Sequence, residues 1–148
     1  MLNFVEYDES FLALSWLWLK DPEISALTMT PDFTKNEQLI FFRSLEKRRD
    51  YFIRGVTYKN EKIGAAGIKN INQDRGEYWG YIGEKKYWGQ GLGREIMEKI
   101  VLEARLLGLK KLYLQVNSNN QRAINLYKKV GFEILSIDDQ LIKMERWL

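Results

Sequence analysis

The most informative segment of this chain is Trp88-Gly89-Gln90-Gly91-Leu92-Gly93. It follows a strand-like segment, Glu77 to Ile82, and precedes an amphipathic helical segment, Arg94 to Leu107. Glycines at alternate positions let the backbone approach a ligand closely and turn its N–H groups outward. The first turn of the helix adds unpaired N–H donors and a partial positive charge. The stretch therefore predicts a phosphate-binding loop, although a glycine-rich turn without a ligand would have the same pattern.

Two common phosphate-binding motifs do not fit this loop. A Walker loop requires Gly-Lys followed by Ser or Thr, and no such tripeptide occurs in the chain. A dinucleotide-binding loop requires a glycine three residues after Gly91, where this chain has Arg94. The loop alone therefore indicates a phosphate without saying which molecule carries it.

The composition indicates one globular domain spanning residues 1–148, with 45% hydrophobic and 29% charged residues. The net charge of +3 suits an anionic small ligand and does not demand nucleic acid as a partner. The chain has no cysteine and no histidine, which excludes disulfides, zinc–sulfur sites and catalysis by thiolate or imidazole. Acid–base chemistry must therefore come from Glu, Asp, Lys, Tyr or water, and we expect no metal.

The N-terminal half carries no targeting or membrane segment that the sequence can identify. Met1 to Glu6 has no basic region ahead of an apolar one, as a signal peptide would have. The longest mostly apolar run, Phe11 to Leu19, is far shorter than the roughly 20 residues that a membrane span needs. We therefore expect a cytoplasmic protein that does not use a membrane as a partner.

Hydrophobic periodicity and capping residues predict the order of strands and helices. Before the loop, the expected elements are a strand at 2–7, three helices opened by Ser10, Asp21 and Thr34, and strands at 51–58, 62–71 and 77–82. After it come a helix at 94–107, a strand at 111–116, a helix at 121–130 and a closing pair of strands at 132–137 and 140–146. This order predicts an α/β fold with a mixed, mostly antiparallel sheet.

A second motif lies about one strand–helix unit downstream of the loop. Residues Asn120 to Phe132 read Asn-x-x-Ala-x-x-Leu-Tyr-x-x-x-Gly-Phe. The loop and this motif, in this order and spacing, resemble those of the GNAT superfamily of acetyl-CoA-dependent N-acetyltransferases. The resemblance covers nearly the whole chain. It implies the GNAT fold, in which helices flank a central sheet of about seven strands with a V-shaped splay.

The resemblance also implies a cofactor site for acetyl-CoA, which is the acetyl donor. The backbone amides of the loop and helix start would wrap the coenzyme A pyrophosphate, while strand-edge residues would pair with the pantetheine amides. Asn120 would hydrogen-bond the coenzyme. The residues expected to bind the cofactor are Tyr81, Ile82, Gly83, Trp88, Gly89, Gln90, Gly91, Leu92, Gly93, Arg94, Asn120, Ala123 and Tyr127.

Trp88 is the one departure from the family's loop pattern, which usually has Arg or Gln at this position. Because backbone amides supply much of the grip on phosphate, we expect the site to survive this change. Gln90 or Arg94 could replace the lost side-chain contact. The form Tyr-Trp-Gly-x-Gly resembles the branch that includes ribosomal-protein and amino-sugar nucleotide acetyltransferases.

Tyr127 and Glu77 are the candidate catalytic residues. By resemblance, Tyr127 would protonate the leaving thiolate of coenzyme A, and the alternative is a core tyrosine with a satisfied hydroxyl. Glu77 is the candidate general base or water-holder, in preference to Glu84, although surface solvation explains either carboxylate. Asn120 could instead be a helix N-cap, a role for which Asn119 competes.

The expected activity is direct acetyl transfer from the thioester to a primary amine of a small molecule, with both substrates bound together. One candidate acceptor is a nucleotide-linked amino sugar, since the aromatic residues of the N-terminal half include some that could form a platform for a sugar ring. The alternatives are acetylation of a protein N-terminus, as in the ribosomal-protein enzymes, and a non-catalytic acetyl-CoA-binding domain. The basic run Lys47-Arg48-Arg49 is a solvated face or a contact for an acceptor phosphate. The closing strands could support a homodimer.

Overall fold

A computed structural model describes all 148 residues and contains every strand and helix that the sequence predicts. The strands are β1 (Leu2–Val5), β2 (Phe52–Tyr58), β3 (Glu61–Asn72), β4 (Arg75–Ile82), β5 (Lys111–Asn117), β6 (Glu133–Asp138) and β7 (Leu141–Trp147). The helices are α1 (Glu9–Lys20), α2 (Pro22–Thr28), α3 (Lys35–Ser44), α4 (Leu92–Leu106) and α5 (Gln121–Lys129), with short 3₁₀ turns at Leu45–Lys47 and Lys85–Tyr87. The expected fold class is confirmed.

Capping explains where two helices begin differently from the prediction. Asp8, and not Ser10, caps α1, because its carboxylate accepts hydrogen bonds from the amides of Ser10 at 3.0 Å and Phe11 at 3.2 Å. The helix after the glycine loop starts at Leu92, two residues earlier than expected, because Gly91 holds the left-handed conformation (φ 78°) that ends the loop. Thr34 forms the expected capping box with Glu37 at the start of α3.

All seven strands form one sheet in the order β1-β2-β3-β4-β5-β7-β6. Every neighbouring pair is antiparallel except β4 and β5, which are parallel because α4 connects them. These two strands pair only from Arg75–Lys111 to Glu77–Tyr113, and beyond Glu77 they separate. The sheet therefore has the V-shaped splay that the resemblance implies.

Helices cover both faces of the sheet and make two hydrophobic clusters. The larger cluster joins α4 and α5 to one face through residues such as Ile96, Ile100 and Ile124. The smaller cluster contains Phe11 and Trp18 of α1, with Ile24 of α2. Because side chains alternate along a strand, β4 sends Tyr78 into the first cluster and neighbouring residues toward the second. The separation of β4 and β5 consequently opens a passage between the two layers.

Two features of the fold are relevant to possible partners, namely the character of the helices and the exposure of an edge strand. None of the helices combines the length and the apolar character that crossing a membrane requires. Strand β6 lies at one edge of the sheet and is exposed along its whole length, with Ile137 64% exposed. Such an edge can accept another strand, and the expected homodimer stays a prediction.

The capping of α1 can be tested by mutation. We expect Asp8→Ala to lower the free energy of unfolding by about 1 kcal/mol, because it removes the acceptor for two amides of the first turn. Ser10→Ala should cost less, because the Ser10 side chain accepts no backbone N–H. Urea unfolding of both variants measures the difference, and the opposite order would restore Ser10 as the cap.

Candidate active site

A cavity of about 350 Å³ occupies the fork between β4 and β5. Its walls come from both layers of the protein. Trp79 and Tyr81 of β4 and Tyr51 before β2 line it on the side of α1 to α3, whereas Asn120 and Tyr127 line it on the side of α5. The cavity therefore passes through the plane of the sheet, so that molecules entering from opposite faces could meet in it.

The backbone of β4 is available for pairing where it borders the fork. The amide of Gly83 donates to the carbonyl of Ile63 on β3 at 2.7 Å, and the carbonyl of Asp74 accepts from Lys111 at the start of β5 at 3.2 Å. Successive residues of a strand direct their backbone N–H and C=O groups to opposite sides. In β4, Tyr78, Gly80 and Ile82 therefore direct these groups toward the fork. Of the expected pantetheine-pairing residues, only Ile82 does so. The backbone groups of Tyr81 and Gly83 face β3, and pairing of the three residues with the pantetheine stays a prediction.

The glycine loop ends in an open helix N-terminus. Gly89 and Gly91 both have positive φ, at 79° and 78°, which other residues adopt only with strain. No side chain caps α4, so the amides of its first turn, from Leu92 to Arg94, are left for another acceptor. The positive end of a 15-residue helix thus faces the loop. This is the geometry that binds an anion such as phosphate.

Trp88 fastens the loop to the sheet. Its indole N–H donates to the carbonyl of Ile82 at 2.8 Å, and its ring packs against the cluster that contains Trp18. Because Ile82 presents its backbone to the fork, this bond spans from the loop to the strand edge beside the cavity. The bond accounts for a tryptophan where the family usually has Arg or Gln. A direct contact between Trp88 and the coenzyme stays a prediction.

Arg122 is a candidate phosphate ligand that the sequence analysis missed. The side chains proposed as replacements are both engaged, because Gln90 donates to the carbonyl of Lys86 at 3.2 Å and Arg94 pairs with Glu98 at 3.0 Å. Arg122 lies in the first turn of α5, and its side chain reaches the glycine loop. Its Nη2 atom is 3.0 Å from the position that a Cβ atom would occupy if Gly89 carried a side chain. It forms no ion pair within the chain. Arg122 occupies a position of the Asn120 to Phe132 motif at which the pattern allows any residue. The motif therefore does not identify it.

Asn120 is the N-cap of α5, since its side-chain oxygen accepts from the amide of Ala123 at 3.3 Å. Asn119 does not fill this role, because the hydrogen bond to the first turn of α5 comes from the side chain of Asn120. Asn120 also lines the cavity. Its side-chain NH₂ group, which capping leaves unused, is consequently the part that a ligand could contact.

Tyr127 combines a packed ring with a hydroxyl that has no partner within the chain. The ring packs edge-on against Tyr78 and at a tilt against Phe132, with centroids 6.2 Å and 6.0 Å away. Burial raises the pKa of the phenol to about 12. The group is therefore protonated at neutral pH, as a general acid must be. The absence of an internal partner differs from the satisfied hydroxyl expected of a core tyrosine.

Glu77 lies where β4 and β5 begin to separate, and it lines the cavity. Its carboxylate accepts a hydrogen bond from the side chain of Asn70 at 3.0 Å, which leaves the second oxygen without a bond in the chain. Glu84 lies outside the cavity and accepts from the indole of Trp18 at 2.6 Å. The structure thus favours Glu77 over Glu84 as a residue that a substrate could reach.

An aromatic wall lines the side of the cavity nearest α3. Rings from Phe41, Tyr51, Trp79 and Tyr81 follow one another with centroids 5.2, 6.1 and 6.4 Å apart. The hydroxyl of Tyr81 donates to the buried Ser15 at 3.1 Å, which fixes one end of the wall. This wall is a candidate for the aromatic platform that the composition suggested, and its role in binding an acceptor stays a prediction.

Comparison with known proteins gives relatives that are N-acetyltransferases. The chain is 34% identical to GCN5-related N-acetyltransferase 6, chloroplastic, of Arabidopsis thaliana over 99 residues, which cover 60% of this chain and 34% of that protein. It is 32% identical to the [ribosomal protein bS18]-alanine N-acetyltransferase of Escherichia coli K12 over 79 residues, or 53% of each chain. The chain thus spans a third to about half of the length of these relatives.

Solved structures share the whole fold. The spermidine N-acetyltransferase of Vibrio cholerae in complex with CoA and spermine superposes with a TM-score of 0.88 at 18% identity, covering 99% of this chain and 95% of that one. The Campylobacter jejuni N-acetyltransferase PseH in complex with acetyl coenzyme A gives a TM-score of 0.79 at 20% identity, covering 99% of both. These likenesses establish the fold and leave the choice of substrate open.

The family itself is established by sequence. Residues 11–132 match the Acetyltransferase (GNAT) family, a span that includes the glycine loop, the forked strands and the motif on α5. With the seven-stranded forked sheet and the open N-terminus of α4, this match shows that the chain belongs to the GNAT acetyltransferase family.

Proposed function

We propose that this chain is an acetyl-CoA-dependent N-acetyltransferase that moves the acetyl group directly to a primary amine within a ternary complex. The observation that carries the proposal is the convergence of Tyr127 and Glu77 on one cavity in the fork. One group is a protonated phenol and the other is a carboxylate with a free oxygen. Such a pair can supply the two proton transfers that the reaction needs.

The donor would enter along the open edge of β4. The backbone of Ile82 would pair with pantetheine, and the first-turn amides of α4 would hold the pyrophosphate, assisted by Arg122. Asn120 would contact the coenzyme through its NH₂ group. The complexes of related folds with CoA and acetyl coenzyme A support this choice of donor.

The reaction follows from these positions. A neutral amine attacks the thioester carbonyl, so that a C–N bond forms and the C–S bond breaks. Glu77 accepts the proton that the nitrogen loses, directly or through a water molecule. Tyr127 donates its proton to the departing sulfur and thereby avoids release of a thiolate. Holding both substrates in one cavity supplies much of the rate by proximity.

The acceptor that we favour is a small amine, with a nucleotide-linked amino sugar as the candidate, because the aromatic wall offers flat faces on which a sugar ring can stack. The second candidate is a protein N-terminus, favoured by the similarity to the ribosomal-protein alanine N-acetyltransferase. Release of free thiol from acetyl-CoA, measured with glucosamine derivatives, spermidine and an alanine peptide, tests the activity and separates these acceptors.

Tyr127→Phe tests the general acid. We expect kcat to fall about 100-fold while acetyl-CoA still raises the melting temperature, because only the proton donor is lost. Since the phenol titrates near pH 12, the wild-type kcat should show no alkaline loss up to about pH 10. An unchanged kcat in the variant would remove Tyr127 from this role.

Glu77→Gln tests whether Glu77 is the general base. The pH dependence of kcat in this variant is the control. We expect kcat to fall about 100-fold near neutral pH with little change in the KM for acetyl-CoA. Raising the pH should recover much of the rate, because the amine then arrives without its proton. Glu84→Gln serves as the matched carboxylate outside the cavity. Equal losses in the two variants would contradict the assignment.

Arg122→Gln tests the phosphate contact. We expect a roughly tenfold weaker affinity for acetyl-CoA, measured by calorimetry, because a charge-assisted hydrogen bond is lost. Turnover of S-acetylpantetheine, which lacks the phosphates, should be unaffected. Arg105→Gln, an exposed arginine at the far end of α4, is the control. An equal loss with both donors would show that Arg122 acts on the fold instead.

A further inference from the structure

Tyr78 brings a second phenol to the fork, beside the phenol of Tyr127. The residue belongs to β4, lines the cavity and is only 7% exposed. Its ring meets that of Tyr127 edge-on, with an angle of 73° between the ring planes. Two tyrosines from different elements, β4 and α5, therefore lie side by side at the cavity, although the proton transfer to sulfur requires only one.

The hydroxyl of Tyr78 makes no hydrogen bond within the chain. Among buried side-chain polar atoms without a partner, only Nε1 of Trp79 is completely enclosed, so the Tyr78 hydroxyl reaches open space, which for this residue is the cavity. A buried tyrosine normally finds a partner for its hydroxyl, because an unpaired polar group is costly to bury. Phenylalanine would fill the same space without that cost. A ligand in the cavity therefore explains the hydroxyl better than packing does.

Gly80 shows where this hydroxyl lies. A Cβ atom on Gly80 would collide with the hydroxyl oxygen of Tyr78 and would lie 3.1 Å from Cζ of the same ring. Gly80 is not one of the glycines with positive φ, so its backbone conformation would suit other residues as well. Glycine inside a strand often marks a close approach of other atoms. The missing side chain thus makes room for the hydroxyl beside the backbone of Gly80, which borders the fork.

We propose that the Tyr78 hydroxyl is a catalytic hydrogen-bond donor, which contacts the carbonyl oxygen of the bound thioester and stabilises the negative charge that this oxygen acquires. The inference rests on the proposed function, because it adds a residue to the same reaction. As the amine forms its C–N bond, the π electrons of the C=O bond move to the oxygen, to which Tyr78 donates. The C=O bond forms again as the C–S bond breaks. Tyr78 keeps its own proton, while Glu77 takes the proton from nitrogen and Tyr127 gives one to sulfur.

The position and environment of the Tyr78 phenol suit a donor that is not consumed. Tyr78 belongs to the strand along which the coenzyme would pair, and its hydroxyl lies beside the backbone groups of Gly80 that are directed toward the fork. Burial, and then the neighbouring Tyr127 phenol, hold the pKa of Tyr78 well above its usual value, so the group keeps its proton. Among packed aromatic rings, such a donor stabilises a developing charge more strongly than it would in water.

Tyr78→Phe tests this donor, because it removes only the oxygen atom. We expect kcat to fall about 100-fold, as is typical when one donor to an oxyanion is lost, with little change in the KM for acetyl-CoA. The melting temperature should not fall, because the hydroxyl has no partner to lose. Tyr58→Phe is the matched control, since Tyr58 also packs edge-on against a tyrosine, Tyr87 at 5.2 Å, but lies outside the cavity. An unchanged kcat, or an equal loss in the control, would overturn the proposal.

The dependence on the leaving group separates the two phenols. With the acetyl thioester of p-nitrothiophenol, whose thiolate departs without a proton, the loss of rate in Tyr127→Phe should shrink. The loss in Tyr78→Phe should persist, because the carbonyl oxygen still becomes charged. A loss in Tyr78→Phe that shrinks in the same way would show that this phenol serves the sulfur, and would overturn the proposal.

Infrared spectroscopy observes the contact without turnover. A hydrogen bond weakens a C=O bond, so acetyl-CoA labelled with carbon-13 at the thioester carbonyl should show a lower C=O stretching frequency on the wild-type protein than on Tyr78→Phe. Gly80→Ala keeps the phenol but fills the place of its hydroxyl, and should also raise the frequency. Equal frequencies on the wild type and Tyr78→Phe would overturn this inference alone. Failure of the proposed function looks different, because no amine, including spermidine and the alanine peptide, would then release thiol from acetyl-CoA.

Discussion

The parallel pairing of β4 and β5 stops after three residue pairs, and the candidate site depends on this interruption. A continuous ladder would use the backbone groups of Tyr78, Gly80 and Ile82 within the sheet and would leave no passage between its faces. Because the strands separate, those groups are not paired with β5, although the Ile82 carbonyl accepts from Trp88, and side chains from α5 can meet side chains from the α1–α3 layer. The cost is an incomplete sheet at its centre, which the two hydrophobic clusters on either face compensate.

The loop and the fork are mechanically connected, and Trp88 makes the connection. Its indole bonds to the carbonyl of Ile82, the residue whose backbone borders the fork next to the loop. The phosphate end and the thioester end of a bound coenzyme would therefore be held by one continuous piece of backbone. A substitution at Trp88 should disturb both ends together, whereas a change at Arg122 should be felt at the phosphates alone.

Sequence patterns predicted the helices and strands well because each has a local cause, such as the hydrophobic periodicity of α4 or the capping box at Thr34. Resemblance predicted the splay and placed Asn120 and Tyr127, both of which line the cavity. Arg122 was missed because its candidate role arises from a contact between segments far apart in the chain, namely α5 with the loop. The direction of the β4 backbone groups depends on the pairing register with β3, which the sequence does not reveal, so the pairing expected of Tyr81, Ile82 and Gly83 with the pantetheine stays a prediction.

The lack of histidine makes the environments of the two candidate catalytic residues decisive. An imidazole can both accept and donate a proton near neutral pH, whereas here we assign the two transfers to two different side chains, a phenol and a carboxylate. Burial keeps the Tyr127 phenol protonated, and Glu77 lies at the opening of the fork. The forked sheet brings both candidates to one cavity, with the candidate acid among packed aromatic rings and the candidate base where the strands separate.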